Sequence, residues 1–355
     1  MVSPEEIYRA IVSSERRSVP ARVARGVLGM ISRPYGWVVN GRNHLYDRKP
    51  ELAARVDVPV VSVGNLTLGG TGKTPMVAWL GQWFAERDLQ VCLVSRGYKD
   101  TTGNGNDEAK ELAARLPGMP HLQDRDRVAT AKKAITQNGA QLILMDDGFQ
   151  HRRLARDLDI VLVDATQPFG YGHLFPRGML REPIRSLSRA TVIALTRANH
   201  VTEPRRKEIE LQIRHFAPKA IWVEIEQAPT RLLSLDGTRH DLDELNGKPV
   251  LAFCGIGNPV AFQKTLTDCN YDVVDMKIYP DHFSYPSSTI NDLSRWSDQF
   301  PQAVAMICTH KDSVKLRPGE FSRLPIYAVL IEFQITIGLK ALETELAKLV
   351  VQSAQ

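Results

Sequence analysis

The chain has 355 residues, 43% hydrophobic and 24% charged, with four cysteines and a formal charge of +5. That length supports a sizeable core and about two domains, and the composition is that of an ordinary globular protein. Cys92, Cys254, Cys269 and Cys308 are widely spaced with no C-x-x-C pair, which argues against a disulfide scaffold or a zinc site.

The charge excess is confined to the N-terminus. Residues 1–50 carry nine Lys/Arg against four Asp/Glu, and the rest of the chain carries 36 of each sign. A nucleic-acid enzyme more often spreads its cations along a face, so no nucleic-acid partner is expected. A basic, apolar N-terminus suits an anionic membrane surface instead. From Ala21 to Ile31, Val23, Val27, Leu28 and Ile31 fall on one helical face and Arg22 and Arg25 on another. Pro34 and the arginines make residues 21–39 a poor transmembrane span, and two readings stand side by side: an interfacial helix, or a helix packed on the protein's own core.

Val58–Val63 reads as a strand and runs into a glycine-rich turn that closes on Gly72-Lys73-Thr74. A helical pattern follows at Met76, Val77, Leu80, Trp83 and Phe84. Strand, glycine loop, Lys-Thr and helix is the order of a phosphate-binding P-loop, with Thr67 where the usual first glycine stands. Leu68, Gly69, Gly70, Thr71, Gly72, Lys73 and Thr74 are the expected nucleotide-binding residues. Backbone N–H groups would cradle phosphate, Lys73 would reach the β/γ-phosphates, and the Thr74 hydroxyl would hold Mg²⁺.

Further strands are expected at Val91–Ser95, Gln141–Met145, Ile160–Val163, Thr191–Thr196 and Ile221–Ile225, with helices between several of them. This alternation predicts an α/β fold with a mostly parallel sheet of the P-loop type. Asp146-Asp147 ends one of these strands, where a metal-binding acid belongs, and Asp147 is the first choice for Mg²⁺. Arg152 and Arg153 follow, and Arg96 stands just past another strand end; all three are candidates for substrate phosphate. Thr196-Arg197-Ala198-Asn199 occupies the place of a base-reading loop. The polar, turn-rich stretch from Gln227 to Lys248 reads as a linker. A second α/β unit begins at Val250–Phe253 and Gly255-Ile256-Gly257, read as a tight turn. Leu339–Val351 is a terminal helix.

Several separated motifs now combine: VSVGNLTLGGTGKTP, VSRGYK, DDGFQHRRLARDLDIVLVD, GHLFPRGMLREP, FCGIGNP, Asp281-His282-Phe283 and THKDSVKL. With them the chain resembles the tetraacyldisaccharide 4'-kinases (lipid A 4'-kinases) of Gram-negative bacteria, over nearly its whole length. The resemblance implies transfer from ATP, with Mg²⁺, to the sugar 4'-hydroxyl of a lipid A disaccharide 1-phosphate. It implies a peripheral protein on the cytoplasmic face of the inner membrane; a monomer is expected. It also implies a P-loop domain over 1–225, a smaller domain over 226–335 closing on the site, and residues 336–355 packed back on the first domain. Asp107 takes the family's catalytic acid position and His282 its partner, although Asn106-Asp107-Glu108-Ala109 departs from the family's Gly-Asp-Glu-Pro-like segment. Glu182 is expected as a further acid near the metal. Two rival functions share the P-loop: a nucleotide-gated membrane switch that would not need Asp107 or His282, and a soluble small-molecule kinase or ligase that would not need the N-terminus.

Overall fold

The computed structural model describes residues 8, 10–13, 16–97, 107–256, 259–280, 283–317 and 324–353. Two compact units emerge, one formed by residues 1–226 and 334–355, the other by 227–333.

In the first unit the elements are α1 (Val19–Arg48), β1 (Val60–Asn65), α2 (Lys73–Ala85), β2 (Val91–Ser95), α3 (Asp107–Arg115), β3 (His121–Gln123), α4 (Arg127–Asn138), β4 (Leu142–Asp146), β5 (Leu158–Asp164), β6 (Val192–Thr196) and α5 (Glu203–Arg214). The chain leaves along β7 (Ile221–Ser234). The strand order is β7-β6-β5-β1-β4-β2-β3, with every pair parallel. All six residues of β1 and all seven of β5 are buried. Strands covered on both faces carry near-continuous apolar runs, which is how Val60–Val63 and Ile160–Val163 read. β1 therefore lies inside the sheet with its carboxyl end opening into the glycine loop. Helix α2 is buried nearly all round, through Met76, Val77, Leu80, Trp83 and Phe84.

The second unit contains β8 (Arg239–His240), β9 (Pro249–Cys254), α6 (Pro259–Asp268), β10 (Asp272–Ile278), α7 (Ser287–Asp298), β11 (Ala305–Thr309), α8 (His310–Ser313) and β12 (Ile326–Ile337). Its strands run β10-β9-β11-β12, all parallel. The chain returns along β12 to α9 (Leu339–Ser353) in the first unit, where Trp83 Nε1 donates to Glu343 Oε1 at 3.1 Å.

Two elements exceed the sequence reading. Strand β7 runs to Ser234, through residues read as linker, because Leu232 is buried and Leu233 packs against the second unit's core. Helix α1 passes through Pro34 and reaches Arg48. Proline removes the bond to the carbonyl of Met30, but Pro34 and Met30 both lie on the exposed side, where loss of that bond costs least. Val19, Val23, Val27, Met30, Ile31, Trp37, Val38 and Leu45 are exposed along one side of α1. On the other side Ala21, Gly36, Val39 and Asn43 are buried. No helix among the described residues is long and apolar enough to cross a membrane.

Candidate functional site

The glycine loop is held from both sides. Asn65 Nδ2, at the end of β1, donates to Gly69 O at 3.3 Å, and Arg197 donates to Gly70 O at 2.8 Å. Arg197 is itself paired with Asp164 at the end of β5. The Leu68 N–H donates to Met179 O at 2.7 Å. Gly69 and Gly72 sit at φ +106° and +86°, where an L side chain is strained. Gly72 caps α2, so Lys73 and Thr74 open the helix. The Thr71 hydroxyl is buried without a hydrogen-bond partner. A buried hydroxyl in that condition is costly, and a phosphate oxygen in the loop would satisfy it.

Beside the loop, β4 ends in Asp146-Asp147. Asp147 turns to φ +50°, and its N–H donates to Asp146 Oδ1 at 2.8 Å. Arg181 donates to both Asp147 carboxylate oxygens at 2.8 and 2.9 Å, and Lys73 Nζ lies 3.7 Å away. Burial pushes the Asp147 carboxyl up, but the Lys73 and Arg181 charges outweigh it and hold it below the usual carboxylate range. Gln150 ties this turn to β1: its Nε2 donates to Asn65 O at 2.8 Å, and its Oε1 accepts from Arg181 at 3.3 Å. Gly148 is required by close approach, since a Cβ there would stand 2.5 Å from Ser62 Oγ.

The structure thus brings together Lys73, Thr74, Asp146 and Asp147 at the carboxyl ends of β1 and β4. Glu182 has a different place. Its carboxylate is fully buried and accepts from Arg42, from Asn43 Nδ2 at 2.9 Å and from Arg189 at 2.8 Å. The expected metal-ligand role is corrected on that ground: both oxygens are held by protein donors in a fully buried carboxylate, whereas Asp147, also paired, stays partly exposed. Arg152 is likewise taken up, pairing with Asp47 at 2.8 Å and donating to Asn43 O at 2.9 Å, so it does not stand ready for phosphate. Arg153 is exposed and faces Asp126 at 3.6 Å, and Arg96 is exposed just past β2. Asp107 opens α3, but its side chain, like His282, lies outside the described residues.

Sequence reasoning passed over Arg181, Gln150 and the clamp made by Arg197. Arg181 carries a signal of its own, since it sits in the same LREP stretch as Glu182. His151 was also passed over. Arg127 donates to it at 3.3 Å, and Arg127, Arg153 and Arg156 act on it against the charge of Asp126. Burial, with those three cations, pushes the imidazole down to about 4.

The family profile described as Tetraacyldisaccharide-1-P 4'-kinase matches residues 24–351. The tetraacyldisaccharide 4'-kinase of Syntrophus aciditrophicus is 38% identical, covering 83% of this chain and 85% of its own. That of Halothermothrix orenii is 30% identical, covering 92% and 93%. A crystal structure of LpxK from Aquifex aeolicus, described as an "apo" form in complex with ATP, superposes with a TM-score of 0.67 at 28% identity, covering 92% of this chain and 99% of that one.

Proposed function

The chain belongs to the tetraacyldisaccharide-1-P 4'-kinase family, and from that premise we propose that it transfers the γ-phosphate of ATP to the 4'-hydroxyl of a tetraacyldisaccharide 1-phosphate. The observation that carries this reading is the glycine loop with Lys73 facing Asp147, at the carboxyl ends of adjacent strands. Phosphoryl transfer asks mainly for positioning and charge compensation, and these residues provide both. The loop holds the phosphates, and Lys73 offsets charge on the β/γ oxygens. The acceptor oxygen attacks the γ-phosphorus in line, the bond to the bridging oxygen breaks, and ADP leaves.

Mg²⁺ takes hard oxygen ligands and usually keeps water and substrate phosphate among them. Among the described residues no cluster of three or more His, Cys, Asp or Glu would hold a metal alone. The Thr74 hydroxyl and the Asp146 and Asp147 carboxylates fit an ion that also uses phosphate oxygens, and it would supply further charge compensation. Asp107, with His282, is the group we assign to the acceptor proton.

The exposed apolar side of α1 and the basic N-terminus support attachment to an anionic lipid surface, the cytoplasmic face of the inner membrane in this reading. An acceptor bearing several acyl chains would then meet the enzyme without leaving the bilayer.

The test is transfer of labelled γ-phosphate from ATP to tetraacyldisaccharide 1-phosphate in detergent micelles, wild type beside Asp107→Ala. Label should reach the lipid with wild type and fall steeply in the variant. ATP hydrolysed equally by both proteins with no labelled lipid would refute the kinase reading in favour of a nucleotide-gated switch.

A further inference from the structure

Glu182 is an unusual acid for a residue beside a nucleotide site. It is fully buried, and its hydrogen bonds and ion pairs do not run to described residues of the glycine loop. Its partners come instead from α1, through Arg42 and Asn43, and from Arg189. The residue before it is the one whose guanidinium grips Asp147. Arg181 is also fixed through its backbone on two sides. Its N–H donates to Leu66 O at 2.9 Å, at the start of the glycine loop, and its carbonyl accepts from Tyr35 Oη, on α1, at 2.8 Å. Arg181 thus stands between α1 and the phosphate loop, and Glu182 pins its following peptide to α1.

We infer that Glu182 is a positioning residue: through Arg42 and Asn43 it makes helix α1 part of the nucleotide site, holding Arg181 in register with Asp147 and Lys73. It acts on where Arg181 stands, and does not bind a metal. The inference rests on the kinase reading for what the site binds and goes beyond it in assigning the N-terminal helix a role at the phosphates. The same helix exposes its apolar side outward, so whatever seats α1 on a lipid surface bears on the frame that holds Asp147.

Metal dependence separates positioning from ligation. A residue that sets Arg181 affects nucleotide affinity with or without the ion. A metal ligand affects it only with the ion present. The experiment is a titration of the full-length protein with a fluorescent ATP analogue, once in Mg²⁺ and once in EDTA. The proteins are wild type, Glu182→Gln, Asn43→Ala and the double variant. Glu182→Gln and Asn43→Ala should each weaken binding by about tenfold or more, by the same factor in both buffers. The double variant should bind no more weakly than Glu182→Gln alone, since both changes break one network. Loss confined to the Mg²⁺ buffer, with Asn43→Ala behaving as wild type, would overturn the inference in favour of a metal ligand. Wild-type affinity for both single variants in both buffers would overturn it in favour of a purely structural pair. Should Glu182→Gln fail to fold, Asn43→Ala alone decides, because it leaves both arginines on Glu182. Wild-type protein that binds no nucleotide in either buffer would instead sink the kinase reading itself.

Discussion

Two carboxylates on this chain, Asp147 and Glu182, each meet two cations, and they do opposite things with them. Asp147 is partly exposed between Arg181 and Lys73, at the mouth of the glycine loop. The Glu182 carboxylate is fully buried, held by Arg189 and Asn43 within the protein and by Arg42, whose own side chain reaches the surface. A partly hydrated pair can exchange partners when a phosphate or an ion arrives, because water covers the moment of exchange. A sealed pair cannot, because each partner lost leaves a buried charge. Charge pattern is therefore a poor guide to function here, and accessibility separates an acid that can meet phosphate or an ion from one that holds the frame in place.

The comparison breaks most sharply at Arg189. This side chain pairs with Glu182 and lies over the Phe149 ring, 4.4 Å from its centroid. Arg189→Ala should destabilise the fold by about 3 kcal/mol, the lower end for breaking a buried pair, as read from urea unfolding. A loss below about 1 kcal/mol would mean that the sealed cluster is relaxed or hydrated. At the open acid the effect moves from stability to turnover. Lys73→Ala should leave stability within about 1 kcal/mol of wild type, since Asp147 keeps Arg181. It should lower kcat at least about a hundredfold, the scale of a lost electrostatic contact in the transition state. Near-normal turnover would remove Lys73 from the phosphate site.

The same contrast explains what was legible beforehand. Asp147, Lys73 and the glycine loop show in the sequence because their chemistry is local: a strand, a turn and a helix start within a few residues of one another. Glu182 reads in sequence as another site acid, since nothing in LREP reports that Arg42 and Asn43, about 140 positions earlier, fold onto it. Arg152, in the same way, is drawn off by Asp47. Helix α1 is cut short in a sequence reading because proline normally ends a helix, and only the tertiary placement of Met30 and Pro34 on the exposed side shows why it does not. The parallel sheet was readable from its buried apolar strands, whereas the length of β7 depended on contacts made in a different unit from the one where it begins.

His151 sharpens the comparison in the pH dimension. It is an imidazole held neutral among Arg127, Arg153 and Arg156, with Asp126 the nearby acid. Its folded pKa, about 4, lies below the ordinary value of 6.5. Between those values the unfolded chain binds a proton that the folded chain refuses, so stability falls as pH drops from 6.5 toward 4. Asp147, whose carboxyl is also held low, adds its own loss only below the usual carboxylate range, as pH falls further. His151→Gln should therefore flatten the dependence between pH 7 and pH 5. Urea midpoints at the two pH values measure it, and parallel curves for wild type and variant would show that His151 is not held neutral.

The smallest effect belongs to the exposed side of α1, where Trp37 is 74% exposed. Trp37→Ser should change unfolding stability by no more than about 0.5 kcal/mol, as expected for a surface site. If that side of the helix seats in a lipid interface, the ring loses part of its water there. Removing it should then cost about 1 kcal/mol of partition free energy, a fewfold loss of binding to anionic vesicles. Arg189→Ala would thus act on fold stability and Trp37→Ser on vesicle binding. A Trp37→Ser protein that binds vesicles as wild type does, while phosphorylating the lipid acceptor normally, would place the membrane contact somewhere other than this stripe.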